Sequence, residues 1–468
     1  MADFVLINPP RDLRAGARAG ATPNLGLLYV AAYLRGRGLE VAFLDAAVQG
    51  WDIEKTAEMA TRETPLVCGL SATSLTIPLV AQIAAQIKML SPDCTTVVGG
   101  PHISSLPETT LDTYRSIDYG VLGEGEVTAL ELYVEVERGG DPAAVPGVAY
   151  RDGGVVRIGK PRAQIKDLDS LPLPAWDLVP DLALAYHPGP QSIFRLPSTI
   201  LSAARGCPYR CGYCDRGVFG RRQRMHGAAR LMEMMEYLYR QYSIVDFSFH
   251  DQSLLMDEGR LVELCRRIQR SALPLSFSAQ CRADQKITPF ALRELPRSGC
   301  WRLTLHMETG DDKLQQSLGA GTTVEQAREA LKTFTEAGIS TSMLIMAGVP
   351  GETKQTMAAT RRFVLSTPIN DVKISFYTPL PAAELGKTDR DHGQVEGGYD
   401  HLYEHAVKFV PQGLTARQLI AFRRRLYRRF YLRPRTIGHY WRRLREPSAR
   451  PLLLQSIRSF IWNSVFSW

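Results

Sequence analysis

The 468-residue chain contains no apolar run long enough to span a bilayer. Met1-Ala-Asp-Phe-Val passes directly into a strand-like segment, with neither a basic flank nor a cleavage site. The expectation is a cytoplasmic protein. Cysteine is scarce, 8 residues in all, and Cys68, Cys94, Cys265, Cys281 and Cys300 are scattered through apolar segments, which disfavours a disulfide scaffold. No GxGxxG follows the first strand-like run, so a nicotinamide site is not expected. Lysine is missing from residues 421–458, which hold twelve Arg and the single acid Glu446. That stretch sums to +11 within a net charge of +8, leaving −3 for the remainder. The basic run lacks a recognition fold, so no nucleic-acid partner is expected.

The other three cysteines stand together as Cys207-Pro-Tyr-Arg-Cys211-Gly-Tyr-Cys214, a CxxxCxxC spacing inside one short loop. Three thiolates can hold three irons of a 4Fe-4S cluster and leave the fourth open. An open iron can take the amino and carboxylate groups of S-adenosylmethionine, so that an electron from the cluster breaks a carbon-sulfur bond and yields a 5′-deoxyadenosyl radical. Zinc is the rival ligand. Structural zinc wants four ligands, no second Cys or His pair lies nearby, and the nearest candidate, His226, sits in a basic stretch.

Strand-like and helical patterns alternate from the start. Phe4–Asn8, Val41–Leu44, Leu66–Leu70, Thr95–Val98 and Asp118–Val121 read as strands, with helices over Gly26–Arg35 and near residues 53–61, 77–90 and 126–138. This predicts a doubly wound α/β domain whose ligand lies beyond the carboxyl ends of the strands. The loops there are small and polar: Asn8-Pro-Pro, Ser71-Ala-Thr73-Ser74, Gly99-Gly100-Pro-His102 and Gly123-Glu124-Gly125-Glu126. A hairpin turning at Asp152-Gly153-Gly154 and a Pro-punctuated linker over Leu168–Trp176 follow. A second alternation, with strands at Ser198–Ala203, Val245–Phe249, Leu275–Ala279, Trp301–Leu305, Met343–Met346 and Val372–Tyr377, predicts a parallel barrel or part-barrel. The cysteine loop falls right after its first strand.

The triplet and its flank, Ser202-Ala-Ala-Arg-Gly206-Cys207-Pro-Tyr-Arg-Cys211, resemble the radical S-adenosylmethionine superfamily. With that loop, Thr22-Pro-Asn-Leu-Gly-Leu-Leu-Tyr-Val-Ala, Val98-Gly-Gly-Pro-His102 and Gly123-Glu-Gly-Glu126 resemble the cobalamin-binding domain of cobalamin-dependent radical S-adenosylmethionine enzymes. Phe422–Pro434 resembles a segment in relatives of the anaerobic magnesium-protoporphyrin monomethyl ester cyclase. The implied organisation is a Rossmann-like cobalamin-binding domain over residues 1–140, a hairpin and linker over 141–195, a partial (β/α)6 TIM-type radical barrel over 196–385 and a helical, Arg-rich region over 386–468.

The resemblance implies three cofactors, a 4Fe-4S cluster on Cys207, Cys211 and Cys214, S-adenosylmethionine and cobalamin. For S-adenosylmethionine it points to Tyr213, Asp251, Arg282, Glu308 in His306-Met-Glu-Thr-Gly310, and Gly348 in Gly348-Val-Pro-Gly-Glu352. A structural ion pair is the competing reading of Arg282. For cobalamin it points to Ser71, Thr73, Gly99, Gly100, His102, Gly123, Glu124 and Gly125. His250 is a further candidate, facing the substrate. A cobalt-coordinating DxHxxG is missing: Asn8-Pro-Pro-Arg-Asp12 has no His, and Asp45-Ala-Ala47-Val-Gln-Gly50 has Ala47 in its place.

The implied activity is methylation of an unactivated carbon through methylcobalamin and the 5′-deoxyadenosyl radical. Radical cyclisation, ring contraction or oxidation is the alternative, and a non-catalytic cobalamin or zinc module is the alternative of another class. A small, hydrophobic substrate and a reductant such as flavodoxin or ferredoxin are the expected partners. Leu453, Ile457, Phe460, Ile461 and Trp468 share a helical face beside the basic run. This fits an interfacial helix at anionic lipid, a wall for an apolar substrate, or a helix docked on its own barrel.

Overall fold

The computed structural model describes residues 2–10, 21–189, 192–251, 254–395, 407–448 and 450–461. These divide into two units: the first takes in residues up to Ala185 together with Asp215–Arg224, the second takes in Tyr186–Cys214 and the chain from Met225 onward.

The first unit is built on a sheet of seven strands. Strands β1 (Phe4–Asn8), β2 (Val41–Asp45), β3 (Val67–Ser71), β4 (Thr95–Gly99) and β5 (Tyr119–Val121) are parallel in the order β2-β1-β3-β4-β5. The hairpin β6 (Val148–Asp152) and β7 (Val155–Ile158), turning at Gly153-Gly154, continues the same sheet antiparallel to β5. On one face of the central strands Val5, Ile7, Cys68, Leu70 and Val98 pack with Ile77, Val80, Ile83 and Ile87 of the helix Ile77–Leu90, and Phe4, Leu6, Val67 and Val97, which alternate with them, are buried on the other face. Continuous apolar runs in β1 and β3 are what a sheet covered on both sides requires. The strand order reverses between β1 and β3, and the crevice of such a sheet opens at the carboxyl ends there.

In the second unit six strands lie parallel and in chain order: β8 (Ser198–Leu201), β9 (Asp246–Phe249), β10 (Ser276–Arg282), β11 (Cys300–His306), β12 (Ser340–Ala347) and β13 (Asp371–Phe376). Among the described residues β8 and β13 do not pair with each other, so this is the open (β/α)6 part-barrel expected from the sequence. Threonines start the helices where the alternation demands a turn: Thr323, Thr353 and Thr415 each accept from the third backbone N–H of the following helix, with Gln326, Thr356 and Gln418 completing a capping box.

The tail is docked on this barrel. Leu419, Phe422, Leu426 and Phe430 of the helix Ala416–Tyr431 are buried, and the Arg433 guanidinium donates to the carbonyls of Leu365 and Ile369 at 3.2 and 3.0 Å, capping the end of helix Lys354–Ser366. At the amino end of the barrel Asp371, 1% exposed, takes Arg302 at 3.2 Å and the hydroxyls of Tyr431 and Tyr440. Leu453 is 1% exposed and packs with Ile193, Leu196, Tyr440 and Leu444. It therefore belongs to a docked helix; Trp468 lies outside the described residues. No described helix is long and apolar enough to cross a membrane.

Removing one partner of a buried ion pair leaves the other charge desolvated. Asp371→Ala should therefore lower the unfolding free energy by roughly 3–5 kcal/mol in urea denaturation. A loss under about 1 kcal/mol would show that the tail does not depend on this contact.

Candidate functional site

The loop after β8 carries the three thiols, and none of the eight cysteines of the chain is in a disulfide. Its path is set by backbone: the Gly212 N–H donates to the Leu318 carbonyl at 2.9 Å, its carbonyl accepts from the Leu385 N–H at 2.9 Å, and the Cys214 N–H closes a turn onto the Cys211 carbonyl at 3.2 Å. Burial pushes the Cys211 thiol above its ordinary value; the Tyr213 hydroxyl pulls it down, Glu308 pushes it up, Arg282 pulls it down, and Cys207 adds a smaller upward push. These groups thus crowd around one thiol. Among the described residues no three Cys, His, Asp or Glu side chains converge as a single-ion site. Three thiols on one loop are the donors that a cluster with an open iron requires.

Glu308 follows β11 and is 5% exposed. Its two oxygens are held by the Tyr213 hydroxyl and by Gln315 Nε2 at 2.7 Å. Gln315, fully buried, also donates to Thr322 at 3.0 Å and accepts from the Thr309 N–H at 3.2 Å. The carboxylate is thus fixed at the strand end beside the cysteine loop. Burial, followed by the Glu308 charge, keeps the Tyr213 phenol protonated well above its usual range. Arg282 ends β10, and its guanidinium is engaged within the protein: Nε and Nη2 donate to Asp284 at 3.1 and 3.3 Å, Nη2 also to the Ala320 carbonyl, and the plane lies 3.7 Å from the Tyr209 ring centroid. The ion-pair reading of Arg282 is the one the geometry shows. Asp251 accepts from the Ala203 N–H and ties the end of β9 to the end of β8. Gly348 sits at φ 77°, where a Cβ would come within 3.0 Å of Leu419 Cδ1, and its N–H donates to Glu352. Burial pushes Glu352 up to about 7, against the two backbone N–H groups of Gly348 and Val349 that favour its charge.

In the first unit the predicted loops do fall at the carboxyl ends of β1, β3, β4 and β5. Asn8 donates to Asp45 at 2.9 Å and accepts from Asn24 at 3.1 Å, and Asn24 caps the helix Leu25–Arg35. Ser71 ends β3, with Thr73 exposed in the loop beyond it. Gly99 ends β4, and a Cβ there would meet nothing closer than Val121 Cβ at 4.0 Å. Gly100 has φ 100° and ψ −172°, with the Ala72 carbonyl 2.8 Å from where a Cβ would stand. His102 is 5% exposed, its Nδ1 lies 3.0 Å from the Ser74 hydroxyl, and burial drives it down to about 4 against the pull of Asp215, so the ring is neutral. The Gly123 N–H donates to Ser104 at 3.0 Å, and Gly125 begins the helix that runs to Glu137. Glu124 faces inward: it holds Arg224 at 2.6 Å and the Ile165 N–H at 2.9 Å, in an ion pair 4% exposed on either side. Asp45 caps the short helix Ala46–Gln49, which explains the DxxxxG spacing without a metal ligand. Arg11 and Asp12 lie outside the described residues.

Gln315, Tyr209 and Arg224 were not singled out in the sequence. A glutamine seven residues after Glu308 carries no motif, and an arginine 100 positions from its partner carries no spacing.

Residues 12–133 match the B12 binding domain and residues 201–364 the Radical SAM superfamily. The chain is similar to an uncharacterized methyltransferase of Pyrococcus horikoshii, 26% identical over 438 residues that make up 93% of each chain. It is also similar to the anaerobic magnesium-protoporphyrin IX monomethyl ester cyclase of Rubrivivax gelatinosus, 25% identical over 469 residues, 98% of this chain and 82% of that one. Its fold resembles the radical S-adenosylmethionine methyltransferase TsrM from Kitasatospora setae, solved with cobalamin and a 4Fe-4S cluster, at a TM-score of 0.67 and 20% identity over 84% of this chain and 75% of that chain. A Rossmann-like corrinoid domain joined to a thiol-bearing part-barrel defines a radical enzyme. The chain belongs to the cobalamin-binding radical S-adenosylmethionine enzymes, with cobalamin, a 4Fe-4S cluster and S-adenosylmethionine as cofactors.

The backbone at Gly100 is nearly closed to other residues. Gly100→Ala should cost roughly 1–3 kcal/mol in urea denaturation, and an unchanged midpoint would contradict the strain.

Proposed function

We propose that the chain is a methyltransferase acting on an unactivated carbon of a small molecule. The observation that carries the reading is the placement of three thiols beyond β8, on the loop whose Tyr213 holds Glu308. When bound, the cluster and corrinoid supply reductive cleavage of S-adenosylmethionine and a transferable methyl group. Cys207, Cys211 and Cys214 hold the cluster. Glu308, pinned by Tyr213 and Gln315, accepts the ribose hydroxyls. The Gly348–Glu352 turn brings backbone close to adenine, while Asp251 and Arg282 position the ends of β8 and β10. Ser71, Thr73, Gly99, Gly100, His102, Gly123 and Gly125 border the corrinoid, with Glu124 positioning its loop through Arg224.

The methyltransferase relative, aligned over nearly the whole of both chains, supports methyl transfer. A second reading, radical cyclisation or oxidation, is supported by the cyclase relative that aligns with 98% of this chain. The reductant in either case is a one-electron donor such as flavodoxin or ferredoxin. Ile437 and Trp441, 52% and 68% exposed and one turn apart among Arg435, Arg442 and Arg445, support a peripheral contact of this cytoplasmic enzyme with anionic lipid.

Anaerobically reconstituted protein should release 5′-deoxyadenosine from S-adenosylmethionine, and Cys207→Ala should abolish it; release by the variant would contradict the assignment. Glu308→Ala should raise the KM for S-adenosylmethionine roughly tenfold or more. An unchanged KM would remove Glu308 from the site. With a trideuteromethyl donor, label retained in the product means methyl transfer, and its absence means the second reading.

A further inference from the structure

Beyond Phe376, the last residue of β13, the chain leaves the strand–helix alternation. The Tyr377 N–H still donates to the Ala347 carbonyl at 2.9 Å, extending the pairing with β12 by one residue. A single 3-10 turn, Leu385–Lys387, and a four-residue helix, Asp389–His392, then lead into the antiparallel pair Gly393–Val395 and Phe409–Pro411. Pieces this short do not hold a position by their own hydrogen bonds. Side chains have to fix the path.

Two contacts do so. The Tyr377 hydroxyl stands 2.9 and 3.0 Å from the two carboxyl oxygens of Asp389, and both residues are 1% exposed. Midway between them Leu385 reaches the cysteine loop: its N–H donates to the Gly212 carbonyl at 2.9 Å, and its Cγ stands 3.0 Å from where a Gly212 Cβ would be. The Tyr377 ring meets Phe409 edge-on at 5.4 Å, Leu314, Leu318 and Val349 complete the buried cluster, and Tyr213 and Leu385 pack against it. The outer side of the segment faces water, with Glu384, Lys387 and Thr388 exposed while Ala383 is buried and Leu385 half-buried. Over Gly212 the segment is therefore one residue deep. A phenol and a carboxyl inside an apolar cluster carry a desolvation cost that an apolar pair would avoid. What their bond contributes is one placement of the twelve residues between them.

Taking the cluster reading as given, we propose that residues 380–392 are a strap that screens the cysteine loop from water and dioxygen, with Leu385 as its inner wall and the Tyr377–Asp389 bond as the latch that holds it in place. Tyr377 and Asp389 are then positioning residues, acting on the loop through Leu385. Opening such a strap is a local event that leaves the barrel folded, so losing the latch exposes the loop without unfolding the chain.

The test follows the visible absorbance of the reconstituted cluster in full-length protein after transfer from anaerobic to air-saturated buffer. Tyr377→Phe, which removes only the latch hydroxyl, should bleach roughly tenfold faster than wild type, and Leu385→Ala should also bleach faster. Tyr440→Phe removes a hydroxyl bonded to the Asp371 carboxylate at 3.0 Å and should keep the wild-type rate. In metal-free protein, hydrogen exchange over residues 380–392 should rise in Tyr377→Phe and not in Tyr440→Phe. Wild-type bleaching in both Tyr377→Phe and Leu385→Ala, or equal acceleration in Tyr440→Phe, would overturn the strap; unchanged exchange in Tyr377→Phe would overturn the latch. Iron and sulfide content, measured before exposure to air, reports separately on the cluster reading, and the exchange measurement needs no cluster.

Discussion

Gly212 stands between the second and third thiols with both backbone groups committed, one to Leu318 and one to Leu385. A Cβ there would come within 3.0 Å of Leu385 Cγ, and a Cβ on Gly319 within 2.7 Å of the Arg210 carbonyl. The cysteine loop is therefore clamped by main chain before any metal enters. A cluster ligated by three residues of one loop needs that restraint, because three flexible thiols would have to be ordered at the cost of chain entropy. Tyr213 makes the same loop part of the Glu308 network, so moving one would move the other.

The barrel divides its labour along its strands. At the amino end Asp371, Arg302, Tyr431 and Tyr440 form a buried polar plug, closed by the tail helices. At the carboxyl end the same faces carry Arg282, His306, Glu308 and Lys373. Breaking the plug would be costly because each group is desolvated. The twelve arginines that dominate the tail's composition are thus partly explained by docking: Arg433 caps a helix end, Arg423 covers Phe376, and Arg443 donates to the Ile193 carbonyl.

Much of this was legible in the sequence, for identifiable reasons. Strands such as Phe4–Asn8 and Asp246–Phe249 are short apolar runs between turn residues, and their pattern survives folding because tertiary burial and local preference agree. The cysteine spacing is local, so a single loop preserves it. Partnerships across the chain were not legible. Glu124 reads as a loop carboxylate at a ligand crevice, yet it faces Arg224, and Arg282 reads as an anion binder, yet Asp284, Ala320 and Tyr209 enclose it. The alternation Asp371, Lys373, Ser375 against Val372, Ile374, Phe376 was present in the sequence, but only the strand register shows that its polar side lies in one row with Leu344, His306 and Arg282.

The central claim is that the loop's three thiols hold a cluster with one iron open to S-adenosylmethionine. Electron paramagnetic resonance of the reduced, anaerobically reconstituted protein tests it most directly. With about four irons and four sulfides per chain, the cluster signal should shift when S-adenosylmethionine is added. Zinc in place of iron, or a cluster signal indifferent to S-adenosylmethionine, would contradict the account.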